Sequence, residues 1–301
     1  MTAKLTIGPL LFHWSPEKRQ EFYYQIADNP AIDTVYLGEV ICSKRTPFFA
    51  SYIDKIHDRL KSSGKTVVLS SLSEVTEKRD QKDVQKICAK TTPIEANDSS
   101  ALWHLTGRPH YIGQLMNVYN ENTLEYLANK GATHFCLPAE LPAASIEMMG
   151  QKAKELDVNI EVQVFGRVSL ALSARCYHAR AHDRIKANCK LICEEDPDGM
   201  DLQTISKTPF LTINGIQTLS YTYLNLIAEM DSLKKMGVSY FRLSPHTNDM
   251  QKTIQIFDDV LKNVISVEDA QNYLKETGIT APFSNGFYYQ EPGMLFKENH
   301  S

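Results

Sequence analysis

Nowhere in the 301 residues do about 18 consecutive apolar side chains occur, so no segment reads as a membrane-spanning helix. The start, Met1-Thr-Ala-Lys-Leu-Thr-Ile-Gly-Pro-Leu10, has no basic region leading into a long apolar stretch and a small-residue cleavage site. A cytoplasmic location is therefore the expectation. Six cysteines are too few for a disulfide scaffold, and in a reducing compartment clustered thiols hold metal more often than they pair. Basic residues do not predominate: Lys plus Arg is 32 against 36 for Asp plus Glu, a net charge of −4. That balance disfavours a chain built to coat nucleic acid, and no nucleic-acid partner is expected. No G-x-G-x-x-G follows the first apolar strand, which removes the main sign of a dinucleotide-binding Rossmann sheet. There is also no G-x-S-x-G elbow, P-loop, H-E-x-x-H or C-x₃-C-x₂-C run, so hydrolysis, nucleotide and radical chemistry have no motif.

What is present is alternation. Hydrophobic residues at 43% and charged residues at 23% are ordinary for a folded globular chain. Leu5–Phe12 reads as a strand, and Ser15-Pro16 offers an N-cap with Pro at the first helical position before a helix over Glu17–Ala27. The pattern continues with strand and helix candidates at Thr34–Leu37 and Phe48–Ser62, then Thr66–Ser70 and Val75–Lys90, then Pro93–Ala96 and Ser99–Leu105. His110–Val118 and Thr123–Lys130 follow, then Thr133–Leu137 and Ala144–Leu156, and a strand at Asn159–Phe165. Beyond these come Phe210–Asn214, a helix over Tyr223–Lys235, a strand at Ser239–Leu243 and a helix over Lys252–Val264. About eight strand–helix repeats imply a parallel α/β architecture, and the missing glycine fingerprint favours an irregular TIM-type (β/α) barrel. Residues 1–301 read as one barrel-like domain, a length that such barrels reach routinely. Residues 175–207 break the rhythm: they are polar, turn-rich and hold three of the six cysteines. Long irregular segments of this kind are functional or disordered, and the thiols point to function.

A barrel places its chemistry where strands end. Polar residues collect at those points: Glu39, Glu95, Asp98, Asn117, Asn120 and Glu140. They mark the rim of a pocket or serve as helix N-caps and strand-end caps.

The cysteines carry a sharper signal. Cys176, Cys189 and Cys193 form a C-x₁₂-C-x₃-C pattern, and Cys42 lies far upstream in the loop after the second strand. Four thiolates suit an iron–sulfur cluster or a structural zinc, and unrelated free cysteines are the remaining reading. Zinc usually takes two short C-x₂₋₄-C knuckles, and only one short pair is present. His178 and His182, four apart beside Cys176, would share one face of a helix and so complete a Cys/His zinc site; two solvated histidines are the plainer reading. Basic neighbours Lys44, Arg45, Arg175 and Arg180 could offset thiolate charge. Cys88 and Cys136 fall on a helix and a strand and read as small buried core residues.

Three stretches resemble the collagenase-like peptidase family. They are Val35-Tyr-Leu-Gly-Glu-Val-Ile-Cys-Ser-Lys-Arg45, Ser173-Ala-Arg-Cys176 with its two following cysteines, and Leu211-Thr-Ile-Asn-Gly-Ile-Gln217. The likeness runs from Ile7-Gly-Pro-Leu10 to Phe241-Arg-Leu-Ser-Pro245. It implies an irregular TIM-type barrel and, by similarity to one branch of the family, a 4Fe-4S cluster on Cys42, Cys176, Cys189 and Cys193. Cys88 and Cys136 match no ligand position. The same branch implies a role in oxygen-independent ring hydroxylation of a prenylated phenol in ubiquinone biosynthesis. A paralogous chain would be its heterodimer partner, with a lipid-binding protein in the same pathway. A metal-dependent peptidase and an RNA base hydroxylation factor are the alternatives that the wider family implies.

Overall fold

The computed structural model describes residues 3–298, so residues 1–2 and 299–301 of the barrel assignment lie outside the described residues. The chain begins β1 (Lys4–Ile7), α1 (Pro16–Asp28), β2 (Ile32–Leu37), α2 (Thr46–Ser62), β3 (Thr66–Ser70) and α3 (Lys78–Cys88). It continues β4 (Ile94–Ala96), α4 (Ser99–Leu105), β5 (His110–Ile112), α5 (Glu121–Ala128), β6 (Ala132–Cys136) and α6 (Ala143–Glu155). A long β7 (Asn159–Leu172) leads into an insertion of α7 (Tyr177–Ala181), β8 (Met200–Gln203), β9 (Pro209–Asn214) and β10 (Gln217–Asn225). Then come α8 (Met230–Lys235), β11 (Val238–Leu243), α9 (Met250–Leu261), α10 (Val267–Lys275) and β12 (Phe283–Ser284).

β1 to β7 pair in sequence order and in parallel, and β11 closes the ring by pairing in parallel with both β7 and β1. The result is a closed eight-stranded parallel barrel surrounded by helices, the expected TIM-type architecture. Local chemistry starts the helices where the sequence suggests. Ser15 accepts a hydrogen bond from the Lys18 N–H at 3.3 Å with Pro16 following, and Asn120 accepts from the Thr123 N–H at 2.9 Å. Asp80 accepts from the Glu77 N–H at 3.2 Å as half of a capping box. Apolar strand residues such as Ile7, Val35 and Phe241 join helix residues such as Phe22, Ile56 and Ile254 in the main core.

Several boundaries differ from the sequence reading. β1 stops at Ile7, because Pro9 cannot extend a ladder, and the buried Leu10 and Phe12 belong to the loop that follows. β5 stops at Ile112, where the Met116 N–H bonds to the Gly113 carbonyl and Asn117 takes a left-handed φ of 57°. The expected helix from Tyr223 is a strand to Asn225: Tyr223 and Leu224 pair with β7 on one side and β12 on the other, and the α-helix starts at Met230. A short apolar run does not by itself tell a buried strand from a buried helix. α10 has no counterpart in the sequence reading.

β7 outruns the barrel. Its second half leaves the ring and pairs antiparallel with β10, which pairs with β9 and then β8. The bend falls at Gly166, with φ +109°, where a Cβ would lie 2.6 Å from the Ser244 Cβ and 2.9 Å from the His246 Nε2. Only glycine fits both the angle and the space. Residues 175–207 are therefore less irregular than expected, holding α7, short 3₁₀ turns and β8.

Candidate functional site

The loops that leave the C-terminal ends of β2 and β7 carry the four cysteines. Cys42 follows β2 directly, and its loop is held by Glu39, whose Oε1 accepts from the N–H groups of Ile41 (3.1 Å) and Cys42 (3.0 Å). Glu39 faces two guanidinium groups, Arg19 at 3.6 Å and Arg45 at 3.9 Å. Arg45 is 1% exposed and reaches across to the insertion. It donates to the Leu11 carbonyl and to the Asn214 Oδ1, both at 2.8 Å, and the Asn214 amide in turn donates to Leu11 at 2.7 Å. Asn214 ends β9, and Gly215 after it turns with φ +64°, its Cβ position 3.0 Å from the Arg45 Nη2. Two of the sequence stretches that carry the family resemblance thus meet at one buried guanidinium.

Three of the four thiols interact with that group. Arg45 interacts with Cys42 and Cys193, and Cys176 interacts with Cys189, Cys193 and Arg45. Burial works against the Arg45 charge, but Cys193, Glu39 and Cys42 raise its pKa further, so the guanidinium stays charged. Burial pushes the Cys42 thiol up, against the pull of Arg45, and pushes Cys176 up against the Ala179 N–H, which donates to its sulfur at 3.4 Å. The insertion is fastened to the Cys42 loop by Lys44, whose Nζ donates to the carbonyls of Lys186 and of Ala187, the latter at 3.0 Å. Lys186 pairs with Glu74 at 3.1 Å, and Arg184 donates to the Cys189 carbonyl at 3.1 Å. Beneath lies a small apolar cluster of Leu11, Val40, Ile41 and Ile216, with Cys176 packed on it. Among the described residues, no three His, Cys, Asp or Glu side chains close into a metal-coordinating group. Cys42, Cys176 and Cys193 share the influence of Arg45, and Cys189 that of Cys176, without forming a finished ligand set.

His178 departs from the solvated reading, whereas His182 is half-buried. His178 is fully buried, its Nε2 2.8 Å from Asp196, and its ring stacks on His182 with centroids 5.7 Å apart. His178 is on α7 and His182 caps its end, so the one-face expectation holds for a single turn. Cys88 and Cys136 are each 1% exposed, as core cysteines. Burial raises the Cys136 thiol well above its ordinary value.

A second polar group was only partly legible. Thr6, Tyr36, Ser70, Glu95, His134, Glu161 and Arg242 come from different barrel strands, and all are buried. Arg242 Nη2 bonds Glu95 Oε1 and Glu161 Oε2, both at 2.7 Å, and its guanidinium carbon lies 4.0 Å from the centre of the Tyr36 ring. Glu161 also takes the Tyr36 hydroxyl at 2.7 Å, His134 at 3.0 Å and the Thr6 hydroxyl. Glu95 takes the Ser70 hydroxyl at 2.7 Å. Burial pushes Glu161 up, but Arg242 and then His134 overcome it and hold the carboxyl well below the usual carboxylate range. A carboxylate so fixed is a counter-ion, not an acid–base group poised near neutral pH. Among the strand-end residues, Asp98 and Asn120 are helix N-caps, whereas Glu39 and Glu95 are buried ion-pair partners. Glu140 accepts a bond from the Tyr119 hydroxyl. Glu161 and Arg242 were missed, although a charged residue inside an apolar strand was their signal.

Fold and site together define a (β/α)-barrel protein with a thiol-bearing insertion on the C-terminal side of the barrel. The chain matches the peptidase family U32 over residues 17–297 and belongs to that family. Among solved structures, it is similar at 10% identity to dihydropteroate synthase from Thermus thermophilus in complex with 6HMPPP, with a TM-score of 0.45 over 87% of this chain and 93% of that one. An uncharacterized B. cereus protein matches at 10% identity and TM-score 0.40, over 87% of this chain and 65% of its own. The Bacillus cereus spore cortex-lytic enzyme SleL matches at 9% identity and TM-score 0.39, over 80% of this chain and 71% of its own. No helix among the described residues is long and apolar enough to cross a membrane.

Proposed function

We propose that this chain is a UbiV-like iron–sulfur subunit that serves oxygen-independent ring hydroxylation in ubiquinone biosynthesis. In this reading it pairs with a UbiU-like paralogue, a UbiT-like lipid-binding protein acts in the same pathway, and the substrate is a prenylated phenol. The carrying observation is that Cys42, Cys176 and Cys193, from two separate loops, all interact with one buried, charged Arg45, with Cys189 interacting with Cys176. The donor set suits a cluster: all four candidate ligands are sulfur, and Arg45 Nε is buried with no hydrogen-bond partner, free to donate to sulfur. When bound, a 4Fe-4S cluster supplies one-electron transfer.

The remaining roles fall to this chain's own groups. Arg45 offsets thiolate charge, Glu39 and Asn214 hold Arg45, and the Leu11–Ile216 cluster keeps water from one side. Lys44 keeps the two cysteine-bearing loops together, and Lys186 ties the insertion to Glu74 after β3. Anaerobically purified protein is expected to contain about four iron and four acid-labile sulfide per chain. Cys176→Ala is expected to lose both and to stop anaerobic quinone synthesis. Zinc without sulfide, or normal anaerobic quinone in the Cys176→Ala strain, would overturn the proposal. The family description favours a second reading, a peptidase. Gelatin cleavage by iron-free protein is the result that would support it.

A further inference from the structure

In the helical ring, α2 packs on α1 and α3 packs on α4, whereas α2 and α3 make little direct contact and leave a cleft between them. The cleft encloses about 290 Å³ and is graded from hydrocarbon to charge. Phe49, Leu72 and Val84 line it and are buried, Ile53 and Ile87 are half-buried, and Ala50 and Lys86 are exposed at the mouth. The polar groups at the inner end are already engaged. Glu39 Oε1 accepts from the N–H groups of Ile41 and Cys42, its Oε2 faces the Arg19 Nη1 at 3.6 Å, and the Ser70 hydroxyl donates to Glu95. The interior thus offers an occupant hydrocarbon contact alone.

The mouth is cationic. An open recess beside it, between the start of α2 and the outer face of α3, is bordered by Lys78, Arg79, Lys82 and Lys86, four cations against one carboxylate, Asp83. Lys78, Lys82 and Lys86 follow one another at four-residue spacing and so share a face of α3. Lys86 is 77% exposed and Arg79 61%, and they approach Asp83 only to 3.6 Å and 3.9 Å. Lys78 and Lys82 are exposed and have no ion pair among the described residues, on a chain whose net charge is −4. An apolar cleft with a local surplus of cations at its mouth selects a hydrocarbon chain that ends in an anion.

We infer that the cleft between α2 and α3 binds a medium-chain fatty acid, its tail against Phe49, Ile53 and Ile87 and its carboxylate on Lys82 and Lys86. A cavity of roughly 150 Å³ accepts the six carbons of benzene, so 290 Å³ has room for a chain of about ten. The tail supplies most of the affinity, since each buried methylene contributes, and the exposed lysines add a modest, salt-sensitive preference for an anionic head. A neutral alcohol leaves those cations unused, and a cationic head is repelled by them. The inference goes beyond the proposed function and does not rest on it, for no cysteine lines the cleft.

Calorimetric titration of the full chain at low ionic strength with decanoate, hexanoate, 1-decanol and decyltrimethylammonium tests it. One equivalent of decanoate is expected to bind, at least about ten-fold tighter than hexanoate, which has the same head and a shorter tail. It should also bind at least about five-fold tighter than 1-decanol, a preference that shrinks at about 0.5 M salt. Reversing both exposed charges, Lys82→Glu with Lys86→Glu, is expected to weaken decanoate at least about five-fold and to spare 1-decanol. Ala50→Trp, on the exposed mouth of α2, is expected to weaken both ten-carbon ligands at least about ten-fold. Both variants should keep the melting temperature, since the altered side chains are exposed. Equal affinity for decanoate and 1-decanol, hexanoate matching decanoate, tightest binding of decyltrimethylammonium, or full decanoate affinity in either variant would each overturn the inference.

Discussion

Arg45 shows how a single residue can tie distant sequence together. Its guanidinium joins the Leu11 carbonyl, Asn214 and Glu39, three points on three separate segments, with Cys42 and Cys193 alongside. A methionine of similar volume would leave the buried Glu39 with Arg19 alone and Asn214 Oδ1 without its donor. Arg45→Met is therefore expected to cost about 3 kcal/mol in urea unfolding. His246 is the second informative residue. Its Nε2 accepts the Arg167 N–H at 3.0 Å, so its proton sits on Nδ1 and points to Asp198 at 3.3 Å. Burial lowers its pKa from the ordinary 6.5, outweighing the upward pull of Asp198. The unfolded chain then takes up a proton below 6.5 that the folded chain refuses, so this contribution to stability is complete above 6.5 and falls away as pH drops. His246→Asn is expected to flatten the fall in unfolding free energy as pH drops below 6.5, as measured by urea titration at each pH. An unchanged slope would show that His246 does not set it.

At the scale of elements, β7 determines where the insertion goes. Its barrel half, Asn159–Phe165, was legible as a strand, because alternating Ile160, Val162 and Val164 define one face. Its continuation to Leu172 was not, because the partner strand β10 lies some 50 residues on and the last three of its nine residues looked helical. Gly166 sits at the join. Gly166→Ala would force a side chain into the left-handed region and against Ser244 and His246. A loss of about 2–4 kcal/mol is expected in thermal or urea unfolding. The insertion itself was recognised by its broken rhythm and its thiols. Its α7, its 3₁₀ turns and β8 were hidden, since α7 is five residues long and β8 is four.

At the scale of the whole molecule, the barrel closes over ions. Glu95, Glu161 and Arg242 come from three strands far apart in sequence, and the ring brings them within hydrogen-bond distance. Removing the cation alone strands two buried carboxylates. Arg242→Met is expected to cost about 3–5 kcal/mol. Combined with Glu161→Gln, the loss should fall short of the sum of the two single losses by about 1–3 kcal/mol, a coupling that a double-mutant cycle reads directly. Additive losses would mean that the network is a set of independent contacts.

The sequence by itself determined the strand–helix order, the barrel class and the packing role of Cys88 and Cys136. Those properties are written in local patterns: periodicity, caps, and the apolar neighbours of the two packing cysteines. The tertiary structure alone decided that Cys42 meets the insertion through Arg45, that Glu95 and Glu161 share one guanidinium, and that His178 is buried against Asp196. The physical reason is the closure of the ring. Adjacent strands in a barrel can be any distance apart in sequence, and a charge on an apolar strand finds its counter-ion only when both faces of the sheet are shut away from water.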